Sequence, residues 1–127
     1  MKRTAFAFFL AAVACVTLGM LWGIEMGIRE DFLLAPAHAH LNLVGWVSMA
    51  LFGLYYHVTP AAAVQPLARV HLLVAIAGVV LFVPGIALSI LGVTHGLAIA
   101  GSLVTLASML IFLVTVLRHG LGTGARS

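Results

Sequence analysis

Four apolar runs, each close to the roughly 20 residues that an α-helix needs to cross a bilayer, fill almost all of this 127-residue chain. They fall at about 4–28, 37–57, 70–91 and 94–117. With 64% hydrophobic and 7% charged residues, nothing is left for a soluble domain. Membrane strands would alternate apolar and polar residues, which these uniformly apolar runs do not do. Helices satisfy their own backbone groups in lipid. The expected fold is therefore all-α: an integral membrane four-helix bundle, one transmembrane domain over residues 1–127.

The breaks between runs carry helix punctuation. Pro36 suits the first turn of the second helix, Thr59-Pro60 ends it, and Thr94 suits the N-cap of the fourth. The short link before Thr94 predicts an antiparallel hairpin of helices three and four. Pro84 predicts a kink in the third helix.

Charge sets the expected orientation. Lys2, Arg3, Arg69, Arg118 and Arg126 fall on one side of a four-span chain and Arg29 alone on the other. The positive-inside rule makes the first side cytoplasmic and puts both termini there, in a multi-pass protein of a bacterial-type inner (plasma) membrane. Glu25, Glu30 and Asp31, the only acids, gather near the outer face. The pI of about 9.8 follows from this asymmetry and is not the mark of a nucleic-acid surface, so no nucleic-acid partner is expected. Lys2-Arg3 and Ala12-Val13-Ala14-Cys15 look something like a lipoprotein signal, but the apolar run continues to Ile24, so a retained first helix is expected. Cys15, the lone cysteine, reads as a small apolar residue.

The polar residues inside the runs carry the chemistry, because imidazole in hydrocarbon needs a partner. His38, His40 and His95 fall at the outer ends of helices two and four; His57, His71 and His119 fall at the inner ends. Roughly 25 Å of helix separates the groups. At about 100° per residue His38 and His40 project from nearly opposite sides of one helix, so they do not grip one ion together. His57 follows two tyrosines, read as interfacial, and His119 follows Arg118, positions where polar ends reach water. His71 has the better claim to a ligand within that group. Gly19, Gly23 and Gly27 form a close-approach strip on helix one. Glu25 and Arg29, four apart, are expected to pair.

The stretch His38-Ala39-His40, then Gly45-Trp46-Val47, Phe52-Gly53, Tyr55-Tyr56 and Pro60 resembles the tenth helix of the heme–copper oxidase catalytic subunit, most closely the cytochrome-cbb type. His71-Leu72-Leu73 with Ile76, Gly78 and Leu81-Phe82 looks like the next helix of that subunit, and the resemblance covers about residues 36–92. It implies heme b, one or two groups, with His38 the ligand of a high-spin heme and His40 of a low-spin heme. The family's copper ligands, cross-linked tyrosine and second low-spin ligand lie on helices that have no counterpart in these 127 residues. The resemblance therefore implies heme binding, for electron transfer or for binding O2 or NO, and not a complete oxidase.

Around such a heme, Arg29 is the outer cation for propionates, Asn42 lies one turn below His38, and Trp46 offers an aromatic edge beside Gly45 and Gly53. His95 is placed to supply another axial ligand. Four helices do not wall off both faces of the second, so a homo-oligomer is expected, together with a redox partner. Two alternatives stand beside this reading. One is a heme-free copper or zinc protein built on His38 or His40 with His95 and nearby acids; the other is a structural or assembly subunit of a respiratory complex.

Overall fold

The structure is a computed structural model that describes residues 2–123, so Arg126, used above for orientation, lies outside the described residues. The described residues are helical without strands. They form α1 (Lys2–Arg29), α2 (Ala35–Val58), the single turn α3 (Pro60–Ala63), α4 (Pro66–Ile90) and α5 (Gly96–His119). The helices α1, α2, α4 and α5 are long and apolar enough to cross a membrane.

The ends follow local chemistry. α1 stops where Glu30 takes φ 53°, with the Asp31 N–H on the Met26 carbonyl and the Glu30 N–H on that of Gly27. α4 stops in the same way at Gly92, φ 72°, with the Val93 N–H on Leu88 and the Gly92 N–H on Ser89. Both are Schellman closures, and Gly92 is the residue best suited to that conformation. Pro36 and Pro66 fill first-turn positions of α2 and α4, so α4 begins four residues earlier than its apolar run. The fourth span begins later than expected, at Gly96: the Thr94 hydroxyl does accept the Gly96 N–H at 3.2 Å, but His95 is the N-cap. α4 runs on through Pro84 to Ile90.

Two antiparallel hairpins make the bundle. In the first, Gly19 faces Asn42, Gly23 faces His38, Gly45 faces Cys15 and Gly53 faces the backbone of Ala5 and Phe9, so the partners run in opposite directions along α1 and α2. In the second, Gly78 faces Thr105, Gly85 faces Ala98 and Gly101 faces Phe82. Among the described residues eight of the sixteen buried apolar ones are alanines, which lets the helices approach on small side chains, the packing that lipid favours. Gly27, by contrast, has nothing near its missing side chain, so the glycine strip of α1 is shorter than its spacing predicts.

Inside α2 the backbone changes pitch. Ala35–His40 is α-helical, Leu41–Ser48 is π-helical and Met49–Val58 is α-helical again. π-turns are rare and concentrate at functional sites. This one starts at the residue after His40.

Candidate functional site

The α-helical turn that opens α2 sends its two histidines to different neighbours. The His38 Nε2–H donates to the Gly19 carbonyl of α1 at 2.8 Å, and the ring meets Trp22 edge-on with centroids 5.9 Å apart. A side chain at Gly23 would crowd the same nitrogen at 3.1 Å. His38 is thus seated in a notch of α1 by the nitrogen with which imidazole most readily binds iron. Asn42 closes the notch: its Nδ2 lies 3.5 Å from His38 Nε2, while its Oδ1 is buried against Gly19 without a hydrogen-bond partner.

His40 faces the other way. Its Nδ1–H donates to the Pro36 carbonyl one turn back at 2.7 Å, and its ring lies edge-on to Phe82 of α4 at 5.1 Å. A neutral imidazole that donates through Nδ1 presents Nε2 as a lone pair. A backbone carbonyl holding the far nitrogen is how ligating histidines are usually oriented.

The other candidates are spread out. His95, exposed at the N-cap of α5, bonds through Nδ1 to Ser89 Oγ at the end of α4. Arg29 pairs with Glu25 at 2.6 Å, the pairing expected from their spacing, and both side chains are open to solvent. Trp46, in the π-turns, approaches Phe9 of α1 with centroids 6.5 Å apart. Gly45 and Gly53 are covered by α1, so the flat places they make on α2 are occupied by a helix. Among the described residues no three His, Cys, Asp or Glu side chains converge as a metal site, and no hydrogen bond or ring contact joins His40 to His95.

At the opposite end the structure corrects the interfacial reading of the tyrosines. Tyr55 and Tyr56 are 6% and 1% exposed, and His71 is fully buried. The Tyr56 hydroxyl and His71 Nδ1 hydrogen bond at 2.9 Å. Phe52 and Phe8 pack against the His71 ring at 4.5 and 5.0 Å, and Phe112 of α5 lies nearly parallel to it at 5.8 Å. His71 Nε2 has no partner. Tyr55 donates to the Gly120 carbonyl at 2.8 Å and so ties α2 to the end of α5. Of the two other histidines, His57 is exposed and His119 bonds through Nδ1 to the Thr115 carbonyl of its own helix at 3.1 Å.

Trp22, Phe8 and Phe112 are not among the candidates legible in the sequence, and Phe52 and Tyr56 figure there only in the resemblance and as an interfacial tyrosine. Trp22 had a usable signal, since it lies between Gly19 and Gly23 and near their face. The chain matches no protein-family model, no curated protein and no solved structure.

Proposed function

We propose that this chain is a heme-b-binding integral membrane protein, related to the tenth and eleventh helices of the heme–copper oxidase catalytic subunit, that serves electron transfer or the binding of O2 or NO. The observation that carries the reading is the His40–Pro36 bond, which holds one imidazole at the head of a span with its Nε2 lone pair presented. The donor set suits heme b at that residue: neutral imidazole is its usual axial ligand. When bound, the iron would supply a one-electron couple or a position for a diatomic gas.

The chain's own residues divide the remaining work. Phe82 flanks the His40 ring and offers an apolar edge to a porphyrin. His95 would supply Nε2 as a second axial ligand, within the chain or to a neighbouring copy, in the tautomer that donates through Nδ1 to Ser89 Oγ. Arg29, exposed beside Glu25, is the outer cation for propionates. Asn42 and Trp46 support α2 against α1 and reach a heme only on that face. His38 joins the ligand set only by leaving Gly19, and a second heme requires that movement. His71, enclosed by aromatic rings, is the least suited of the proposed metal ligands.

His40 packs its ring against Phe82 of α4, so a heme held by its other nitrogen would lie along α2 and α4. A homo-oligomer covers it there, and a redox partner exchanges its electrons. The cation asymmetry supports both termini in the cytoplasm and a bacterial-type inner membrane. In that orientation His40 lies toward the outer face.

A structural or assembly role is the second reading, favoured by the seating of His38 on Gly19, a contact that joins helices without a cofactor. A copper or zinc site would draw ligands from a second copy. The absorption spectrum of the purified protein separates these: a Soret band with sharp reduced α and β bands is expected. A colourless protein with bound copper or zinc, or with neither, overturns the heme reading.

A further inference from the structure

Where α5 ends and α4 begins lies a cavity of about 350 Å³, whose lining includes Gln65, Leu67, Ala68, Thr115, Arg118 and His119. Its size is that of a small ligand cleft, for which the range is about 300–1,000 Å³. The fold places its two cationic side chains. Gly120 turns the chain after α5 at φ 68°, its carbonyl accepts from the Tyr55 hydroxyl at 2.8 Å, and the Gly122 N–H donates to Thr59 Oγ1 at 3.0 Å. These two bonds tie the segment behind α5 to the end of α2, so the last turn of α5 is held beside the start of α4. His119 is fixed further, its Nδ1–H donating to the Thr115 carbonyl at 3.1 Å, so its Nε2 becomes a donor only in the imidazolium form.

The α4 side of the cavity adds donors. Gln65, the N-cap of α4, makes no side-chain capping bond, and Leu67 and Ala68 of the first turn are in the lining. An uncapped helix start carries about half a positive charge. The Gln65 amide gives one N–H to the Ala61 carbonyl at 3.4 Å and keeps a second. Arg118 indicates the ligand class, since its planar fork matches phosphate oxygens. The only acids of the chain, Glu25, Glu30 and Asp31, lie at the far end of α1 and bring no opposing charge.

We infer that this cavity binds the phosphate of an anionic phospholipid headgroup, with Arg118, the Gln65 amide and the first turn of α4 as its donors. Depth favours a lipid over a free phosphate. Arg118 lies in the last turn of one span and Gln65 at the start of another, the level at which headgroups meet a bilayer-crossing helix. Basic pockets between spans at that level are the usual seats of anionic headgroups. Leu117 and Leu121, on either side of the two cations in sequence, are 69% and 79% exposed and offer apolar surface to acyl chains, which a free phosphate lacks. The inference does not depend on heme.

The test is native mass spectrometry of the full-length protein in detergent, titrated separately with dioleoylphosphatidylglycerol, dioleoylphosphatidylcholine and inorganic phosphate. The parent is expected to bind phosphatidylglycerol about tenfold more tightly than phosphatidylcholine, whose choline cation meets the same basic wall. Arg118→Gln should lose about tenfold in phosphatidylglycerol affinity, the lower end for a hydrogen bond to a charged group. Arg3→Gln, at the same end of the bundle but outside the lining, should stay within about twofold, because salt screens a cation that makes no contact. Gln65→Glu brings a carboxylate into the cavity at a position that suits the start of α4, so the fold holds while lipid affinity falls about tenfold. That variant decides the matter if Arg118→Gln does not fold. Equal affinity of the parent for the two lipids overturns the inference, as do equal losses in Arg118→Gln and Arg3→Gln or unchanged affinity in Gln65→Glu. Inorganic phosphate bound as tightly as phosphatidylglycerol assigns the cavity to a free anion and overturns it too.

Discussion

The two ends of the bundle treat histidine in opposite ways. Around His71 the protein is closed: aromatic rings from α1, α2 and α5 surround the imidazole, and a tyrosine from α2 bonds to it. Around His40 it is open: His38, His40 and His95 each bond to a different neighbour, and no acid or cysteine draws them together. A closed imidazole costs its desolvation once and returns packing, so it suits stability. An imidazole held by one nitrogen keeps the other for a ligand. Burial alone is therefore a poor guide to which histidine does chemistry in a membrane; which nitrogen is engaged, and by what, is the better one.

On the proposed heme reading, the largest effect expected is on cofactor content. His40→Ala should cost about 10³-fold in heme affinity, near 4 kcal/mol, seen as loss of the Soret band from purified protein. His38→Ala should keep the band and unfold more readily, because it loses the Gly19 bond. Equal heme content in parent and His40→Ala would break the contrast between the ends. So would loss of heme in His71→Ala.

His71→Ala should instead cost about 3 kcal/mol of stability, from the void left among Phe8, Phe52 and Phe112 and the orphaned Tyr56 hydroxyl. Tyr56→Phe should cost about 1 kcal/mol, since it removes only the hydrogen bond. Both are measured by denaturant titration in a fixed detergent. A neutral His71→Ala would mean that the aromatic box is not the anchor of the fold.

Glycines sharpen the contrast by what faces them. Gly53, beside the closed end, lies against the α1 backbone, with Ala5 O 3.0 Å and Phe9 N 3.1 Å from where a side chain would begin. Backbone cannot swing aside, so Gly53→Ala should cost about 2 kcal/mol. Gly19, toward the open end, is crowded by the tip of the Asn42 side chain, which can turn away. Gly19→Ala should cost under about 1 kcal/mol by the same measurement. The reverse order would show that the open end is the more tightly packed.

Much of this architecture is legible in the sequence. Spans are legible because lipid penalises every polar backbone group that a helix does not satisfy, so apolar length alone finds them. The α4–α5 hairpin was legible from a link too short for anything but an antiparallel return. The site was harder. Tyr55-Tyr56 near a span end reads as an interfacial belt, and only the packing of α1 and α5 over that end shows them buried. The π-turns of Leu41–Ser48 contain no proline and leave no mark in the sequence. That His38 and His40 diverge follows from helical pitch, but that one engages Nε2 and the other Nδ1 depends on neighbours placed by tertiary packing.

The smallest effect expected belongs to the one pairing that spacing alone identified. Glu25 and Arg29 meet at 2.6 Å, yet their side chains are 48% and 72% exposed, so water and salt screen most of their attraction. Glu25→Gln should change stability by only about 0.3 kcal/mol, the scale of an exposed i,i+4 pair. It leaves Arg29 charged and releases it from a carboxylate, so heme content should hold or rise slightly if Arg29 meets a propionate. A loss above about 1 kcal/mol in the denaturant titration would mean that this end of α1 is desolvated, by lipid headgroups or by a second copy. The open end would then be closed in the assembled protein, and the contrast with His71 would belong to the single chain alone.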